Sequence, residues 1–418
     1  MTKNILQKMS NNLRPDENSA INAEKMLKVI RKSAKKLKLD VSPVLGGSLA
    51  KGTNLKDNYD IDIFVRFDLK YSKKNISLLL GKILKNANIK AIKVHGSRDY
   101  FQVKNKYLFE IVPVLAVDNF DDAKNVADMS PLHVKYFVKK AKNSKKVRDN
   151  IRLTKAFLKS ARIYGAESFI KGFSGHVADI LILYYGSFEK LIVAVTKWRG
   201  KVIIDIENKQ KNALMSMNAS KIDNPLIVVD PVQKGRNAAA AVSEESFKKF
   251  IKTAKAYLKK PSLNYFIEEN FDVYVNSIFM KKKRNNHCFK ILVKPLIGKE
   301  DVIGSKILKI KEYIDNELIN NDFNISWSDW KFDEKESIIA YCVKKELLSK
   351  QVVIQGPPNE FPMHVKDFKK KHPNNWTKKG AVFAKEKRKH LTSFNLISYV
   401  LKRKYVSQRC KLIILEQN

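Results

Sequence analysis

The chain has 418 residues, enough for two or three domains of about 100 to 200 residues each, so a single small module is excluded. Hydrophobic residues make up 44% and aromatics 10%, which supplies material for packed cores and excludes global disorder. Lys and Arg total 81 against 42 Asp and Glu, and a net charge of +39 on a folded chain points to a polyanionic partner whose counterions are released on contact. Nucleic acid is the first candidate. An anionic membrane competes, but no basic amphipathic anchor stands out, and a lysine-rich genome would also raise the number.

No run of about 18 apolar residues occurs, and residues 1–12 read as polar, without the apolar stretch of a signal peptide. A cytoplasmic protein with no membrane association is expected. Cys288, Cys342 and Cys410 stand far apart without CxxC spacing, which argues for reduced structural thiols rather than a disulfide framework or a zinc knuckle.

Residues 15–39 repeat apolar side chains at helical spacing (Ile21, Met26, Leu27, Ile30, Leu37), predicting an amphipathic helix. Residues 41–45 form a short apolar run ended by Gly46-Gly47-Ser48, and residues 59–67 (YDIDIFVRF) alternate with period two. Strand, glycine turn, short helix and second strand fit that order. Further strand-like segments at 91–95, 100–103 and 107–117 complete a mixed α/β head. From 132 to about 250 the periodicity is mainly helical, interrupted by loops expected at 208–223 and 231–237, with Pro231 and Gly235 as punctuation. The remainder mixes strand-like runs (288–293, 336–344, 351–355) with helical ones (306–319, 364–371). The expected organisation is an α+β multidomain protein with a head at 1–130, a helical second domain at 131–262 and an α+β C-terminal region at 263–418, without internal repeats.

Asp60 and Asp62 lie two apart on a predicted strand, so their carboxylates share one face while Ile61, Ile63 and Val65 point into the core. Side-by-side acids are costly, and hard divalent cations such as magnesium relieve that cost. A solvated strand face is the bland alternative. The Gly46-Gly47-Ser48 turn, ending twelve residues upstream of Asp60, favours the metal reading, because glycines before a helix let backbone N–H groups and the Ser48 hydroxyl approach a phosphate. Glu110, in FEIVPVL, is a charge among apolar neighbours. It is expected to have cationic partners or, alternatively, to reach a strand edge, and with Asp60 and Asp62 it would complete a two-metal site.

These residues carry a resemblance. GGSLAKGTNLKDNYDIDIFVRF is similar to the signature of polymerase-β-like nucleotidyltransferases, and in particular of the class I, archaeal-type CCA-adding enzymes (tRNA nucleotidyltransferases). RLTKAFLKSARIYGAESFIKGFSGHVADILILYYGSF, VIIDI and LIVVDPVQKGRNAAAAVS resemble successive blocks of that family's second domain, and GPPNEFPMHVKDFKKKHP its C-terminal region. The likeness covers residues 10–250 well and 270–418 more loosely. The fold it implies is a polymerase-β-like head of mixed sheet and helices, a helical neck and an α+β RNA-binding region.

The resemblance implies that Asp60, Asp62 and Glu110 are catalytic and hold two Mg2+ ions, with Glu110 standing where Asp is the family's expectation. It implies that Gly47 and Ser48 belong to the phosphate-binding turn, and that Lys51, where Arg is frequent, meets phosphate as a point charge. His133, Lys155 and Tyr164 match residues that hold the triphosphate, and Arg236 and Asn237 match a pair associated with reading the base. Taken singly, His133 also reads as a helix-start residue, Lys155 as a solvated lysine and Tyr164 as a core aromatic. His95, His176 and Cys288 receive no role. The implied reaction is template-independent addition of C, C and A to the tRNA 3′ end from CTP and ATP. A poly(A)-polymerase-like or oligoadenylate-synthetase-like enzyme, an aminoglycoside-type nucleotidyltransferase and a catalytically silent RNA-binding protein are the competing readings. Trp327, Trp330, Trp376 and Tyr405 lie among basic residues, as does the cationic stretch 366–371, and suit a tRNA acceptor stem and T arm, or equally a core and a solvated helix. The oligomeric state, a homodimer included, stays open.

Overall fold

In the computed structural model of the chain, which describes residues 2–56, 60–208, 214, 215, 217, 218, 222–345 and 348–417, two helices precede the first strand. α1 (Thr2–Asn12) buries Leu6 and Met9, and α2 (Asn18–Lys36) buries Ala23, Leu27, Ile30 and Ala34. The sequence reading differs at both helices. Residues 1–12, polar by composition, form a helix, and of the apolar residues whose spacing predicts the second helix Ile21 is exposed and Leu37, also exposed, lies just past its end. Leu6 and Met9 stand three apart, one turn of helix, and that narrow stripe seats α1 on the helical core described below.

The head sheet comes next. It comprises β1 (Val41–Leu45), β2 (Asp60–Phe67), β3 (Ile92–Val94), β4 (Tyr100–Lys104) and β5 (Leu108–Leu115) in the order β1-β2-β5-β4-β3. α3 (Gly47–Lys51) and α4 (Ile76–Asn86) are set between the strands. Strand, glycine turn, short helix and second strand occur as read from the sequence, except that Tyr59 lies outside the described residues. β2 runs parallel to β5 while every other pairing is antiparallel, so the sheet is mixed. One face packs Ile61, Ile63, Val65 and Ile111 against Leu27 and Ile30 of α2 and Leu80 and Ile83 of α4. Period-two alternation leaves the acids on the opposite face.

The helical part contains α5 (Ser130–Ala141), α6 (Lys145–Ser160), α7 (Gly175–Tyr185), α8 (Phe188–Val195) and α9 (Glu244–Lys259). Its centre is aromatic, with the Phe157 ring 5.5 Å from Phe188 and 5.6 Å from Tyr257 in edge contacts. Two short parallel strands, β6 (Val202–Ile204) and β7 (Leu226–Val228), interrupt the helices. The helical reading of this stretch missed them. The loop expected at 208–223 falls largely outside the described residues, and the one expected at 231–237 leads away from β7.

The chain divides into two units, Met1–Glu268 and Glu269–Asn418. The first contains both cores just described. The second is α+β. α10 (Phe271–Lys282), β8 (Asn286–Pro295), α11 (Glu300–Asn320), β9 (Ile325–Lys331), β10 (Ser337–Lys344), β11 (Gln351–Pro358), α12 (Pro362–Lys371), β12 (Asn375–Lys378), β13 (Ala381–Lys387), α13 (Ser393–Leu401) and β14 (Cys410–Gln417) form an antiparallel sheet, β14-β8-β10-β9, and a smaller one, β11-β13-β12. Ile307, Ile310 and Ile314 of α11 and Ile397 and Val400 of α13 pack on Phe289, Ile291 and Tyr341 of the larger sheet. The β8–β10 register sets Cys288 opposite Cys342 as free thiols with their sulfurs 3.1 Å apart. Trp327 and Trp330 are half-buried against the cores of this unit, and Trp376 stacks on Phe383 at 5.9 Å. α12 buries none of its residues and ends in Lys369, Lys370 and Lys371. Among the described residues, no helix is long and apolar enough to cross a membrane.

Candidate active site

The parallel register of β2 and β5 sets Asp62 directly beside Glu110, and Asp60 beside Leu108. Adjacent strands are about 4.8 Å apart, so Asp62 and Glu110 are neighbours across the ladder and Asp60 follows on the same face. Cationic partners were expected around Glu110. Instead, β4 presents Gln102, whose Nε2 donates to Glu110 Oε1 at 2.8 Å, and β2 presents Asp62. A neutral amide and a second carboxylate leave the negative charge of this face uncompensated by the sheet itself. Asp62 registers that crowding. Burial first, then Glu110 and Asp60, push its carboxyl up to about 6, with Lys51 opposing. Asp60 opens to solvent at the strand's end, yet the protein around it still raises its pKa against the pull of Lys159.

The glycine turn sits directly on these acids. The Gly46 N–H donates to the Asp62 carbonyl at 2.8 Å, and Gly47 has φ +53°. A Cβ on Gly47 would lie 1.7 Å from Asp62 Oδ2. Glycine is therefore required there twice over, by backbone conformation and by close approach. Ser48, the second helical residue of α3, accepts the Thr53 N–H on its carbonyl, which closes the loop that follows the helix.

Facing this loop is α6, which starts at Ser144, whose hydroxyl accepts the Val147 N–H. Arg148, Arg152 and Lys155, spaced i, i+4 and i+7, present one stripe to residues 51–54. Arg148 Nε donates to the Lys51 carbonyl at 3.0 Å, and Arg152 donates to the Asn54 and Gly52 carbonyls at 3.0 and 2.6 Å. Lys155 Nζ donates to the carbonyl and hydroxyl of Thr53 at 3.1 and 3.0 Å. Lys51 reaches away from the turn and pairs with Asp179 of α7 at 2.7 Å. Burial drives the Lys155 ammonium down to about 8, with Asp179, 4.0 Å away, opposing. The Tyr164 hydroxyl is pushed up, first by burial and then by the carboxylates of Asp179, Glu167 and Asp60. Lys159 lies 5.5 Å over its ring. A Cβ on Gly175 would meet Tyr164 Oη at 2.9 Å and Lys155 Nζ at 3.7 Å, so the hydroxyl, the ammonium and the start of α7 converge. Of the residues that the resemblance assigns to the triphosphate, Lys155 and Tyr164 meet at the start of α7, whereas His133 pairs with Asp230.

Beyond β7 the chain presents Asp230, buried, as the centre of a second constellation. Its Oδ1 accepts the Val232 and Gln233 N–H groups at 2.9 Å. His133 Nε2 lies 3.1 Å from both of its oxygens, and His176 Nε2 lies 3.1 Å from Oδ2. Arg236 Nη1 donates to Oδ2 at 3.2 Å and to Gln233 Oε1 at 3.3 Å. The carboxyl is held well below the usual carboxylate range because these donors outweigh its burial. Burial depresses His176, assisted by His133, whose ring is 4.5 Å away. Asn237 spends its amide on the backbone. Oδ1 accepts from Val228 and Ala239 at 3.0 and 2.9 Å, and Nδ2 donates to the Leu226 carbonyl at 3.2 Å. It fastens the loop to β7 and thereby sets its neighbour Arg236.

Among the described residues, the one group of three His, Cys, Asp or Glu ligand atoms lying within 4.8 Å of one another is His133, His176 and Asp230. The acids Asp60, Asp62 and Glu110 spread more widely along the sheet face. Sequence reasoning missed His176, Asp179 and Asp230. Asp179 carried the signal used for Glu110, a lone acid in the apolar run VADILIL, whereas Asp230 and His176 are informative only once α5, α7 and β7 have packed.

Comparison with known proteins finds three family matches in chain order. Residues 27–151 match the nucleotidyltransferase domain family, residues 149–267 the family described as tRNA nucleotidyltransferase, second domain, and residues 289–408 that described as CCA-adding enzyme, C-terminal domain. The CCA-adding enzyme of Nanoarchaeum equitans is 35% identical over 318 residues, 75% of this chain and 76% of that protein. Those of Methanocaldococcus jannaschii and Saccharolobus shibatae are 32% and 28% identical, covering 83% and 94% of this chain and 78% and 91% of the relatives. In fold, 63% of the chain superposes on 98% of a Cid1 poly(U) polymerase structure at a TM-score of 0.51 and 14% identity. Three consecutive domain matches, together with relatives above 30% identity over three quarters or more of both chains, establish that the chain belongs to the CCA-adding enzyme family of nucleotidyltransferases.

Proposed function

We propose that the chain adds C, C and A, without a nucleic-acid template, to the 3′ end of tRNA, taking CTP and ATP and releasing pyrophosphate. The observation that carries this reading is the crowding of Asp60, Asp62 and Glu110 on one face of the head sheet, with Asp62 pushed up to about 6, opposite a wall of Lys155 and Tyr164. Hard carboxylate oxygens that repel one another fit divalent magnesium. When bound by Asp60, Asp62 and Glu110, two such ions would lower the pKa of the RNA 3′-hydroxyl and neutralise charge on the leaving pyrophosphate.

The chain's own residues supply position and charge. Lys155 and Tyr164 meet the triphosphate with a cation and a hydroxyl whose places are fixed by Thr53 and the start of α7, and His133 extends that contact. The turn at Gly47 and Ser48 brings backbone close to both the acids and the phosphates. Arg236, held by Asp230 and Gln233, offers a guanidinium to the base edge, with Asn237 bracing its loop. Lys51 acts from behind the turn through Asp179 and reaches phosphate by long-range charge rather than by contact. The C-terminal unit, with the exposed basic face of α12, grips the acceptor stem and T arm through backbone charge and shape. The setting is the cytoplasm, where tRNA is found.

The test is incorporation of labelled CTP and ATP, alone and together, into tRNA lacking its CCA end. Two C residues from CTP and a terminal A only after them are expected. Incorporation of A alone, in runs, would move the chain to a poly(A)-type activity, and no incorporation with intact tRNA binding would leave an RNA-binding protein.

A further inference from the structure

Two residues with different duties share one carboxylate. In the reading above, His133 serves the phosphate end of the nucleotide and Arg236 the base end, yet both are held by Asp230. His133 Nε2 is 3.1 Å from each of its oxygens, and Arg236 Nη1 is 3.2 Å from Oδ2. His176 makes a third side-chain contact at 3.1 Å, from α7. The elements involved are distant in sequence. His133 is 97 residues from Asp230 and His176 is 54, while Arg236 is only six. Two backbone N–H groups, of Val232 and Gln233, pin Oδ1 at 2.9 Å, so the carboxylate cannot rotate to favour one client over the other. An ionised carboxylate only accepts hydrogen bonds, and it therefore places the hydrogen on Nε2 of both rings and fixes their orientation.

We infer that Asp230 is the positioning residue that sets His133 and Arg236 together, so that phosphate holding and base selection by the incoming nucleotide are coupled through one buried carboxylate, with His176 bracing it. The inference rests on the CCA-adding reading. It also goes past it, because it assigns a specificity role to a residue to which the reading above gives no contact with nucleotide or metal. A rigid shared acceptor explains how a small arginine displacement at the base could be felt at the phosphates. Asparagine at this position keeps the Oδ1 acceptor for Val232 and Gln233. It turns an Nδ2 donor toward Arg236, a donor in every state, and so releases the arginine, while His133 keeps only its Oδ1 contact and His176 keeps a contact only by changing tautomer.

The experiment measures KM and kcat for CTP and ATP, and the frequency of U in place of C, for wild type, Asp230→Asn, Arg236→Ala, the double variant and His176→Asn, with thermal unfolding of each. For Asp230→Asn, KM is expected to rise roughly ten-fold or more for both nucleotides, the loss that goes with a charged hydrogen bond, while kcat at saturation stays within about three-fold. U misincorporation should rise. In the Arg236→Ala background, Asp230→Asn should add little further loss of selectivity, because its route to the base is already removed. His176→Asn should move KM in the same direction by a smaller factor, and it carries the test should Asp230→Asn not fold. Wild-type KM and selectivity in a folded Asp230→Asn, or in His176→Asn alone, overturns the inference, as does a fully additive double variant. Failure of the wild type to add C and A would instead refute the CCA-adding reading.

Discussion

Lys51 Nζ lies 2.7 Å from Asp179 Oδ2, and both side chains are less than a tenth exposed. This buried ion pair ties the helix after the glycine turn to α7, so the turn that lies over Asp62 is held by the helical part of the same unit. Removing one partner of such a pair strands the other charge without water. Asp179→Ala should therefore lose about 3 kcal/mol of stability in urea unfolding, whereas Lys51→Met with Asp179→Leu should recover most of it. A loss below about 0.5 kcal/mol for the single variant would mean that the pair is solvated and does not secure the turn.

Asp62 gives the acid cluster a thermodynamic signature. Its folded pKa, about 6, is above the ordinary value of 3.8, so between those pH values the folded chain holds a proton that the unfolded chain has released. Stability contributed by this group consequently falls as pH rises from about 4 to 6, and the deficit persists at neutral pH. In EDTA at pH 7.5, Asp62→Asn should be more stable than wild type by on the order of 1 to 3 kcal/mol, and the difference should vanish near pH 4. Adding Mg2+ should stabilise the wild type and do little for the variant, which should be inactive. Equal response of both proteins to Mg2+ would place the ions elsewhere.

Much of this site could be read from residue order because local periodicity decides it. The period-two alternation of β2 assigns Asp60 and Asp62 to one face whatever the rest of the chain does, and Glu110 announces itself as an acid among apolar neighbours. Asp179 announced itself by the same rule. The hub around Asp230 obeys no local rule. It forms where α5, α7 and the end of β7 meet, and spacing along the chain says nothing about that meeting. β6 and β7 escaped for a different reason: three-residue parallel strands are too short to show a period. Cys288 and Cys342, 54 residues apart, likewise become neighbours only through the register of β8 and β10.

Lys155 predicts a pH dependence for substrate capture. Its ammonium, driven down to about 8 by burial, loses its proton in the folded enzyme well before an exposed lysine would. Between about 8 and 10.5 the unfolded chain holds the extra proton, so this group's contribution to stability rises with pH, while in its proposed role its hold on a triphosphate weakens. The profile of kcat/KM for CTP, which reports the free enzyme, should fall above about pH 8. Lys155→Arg should move that limb to higher pH, since guanidinium stays charged, at the expense of the Thr53 contacts. A limb that stays in place in the arginine variant would assign it to another group.

Gly47 and Gly186 separate backbone strain from obstruction of the site. Both have positive φ, +53° and +85°, so alanine at either position incurs a conformational cost of about 1 kcal/mol. They differ in surroundings. A Cβ at Gly186, which ends α7, meets nothing within 4 Å, whereas one at Gly47 would lie 1.7 Å from Asp62 Oδ2. The carboxylate or the turn must then move by an ångström or more, and displacement of that size from a reacting geometry costs on the order of 100-fold. Gly47→Ala should therefore lose at least that factor in kcat for both CTP and ATP, and the raised pKa of Asp62 should change with it. Gly186→Ala should lower the unfolding midpoint slightly and leave nucleotide addition intact. Similar losses of activity in the two variants would show that strain alone, and not the approach of the turn to Asp62, governs the result.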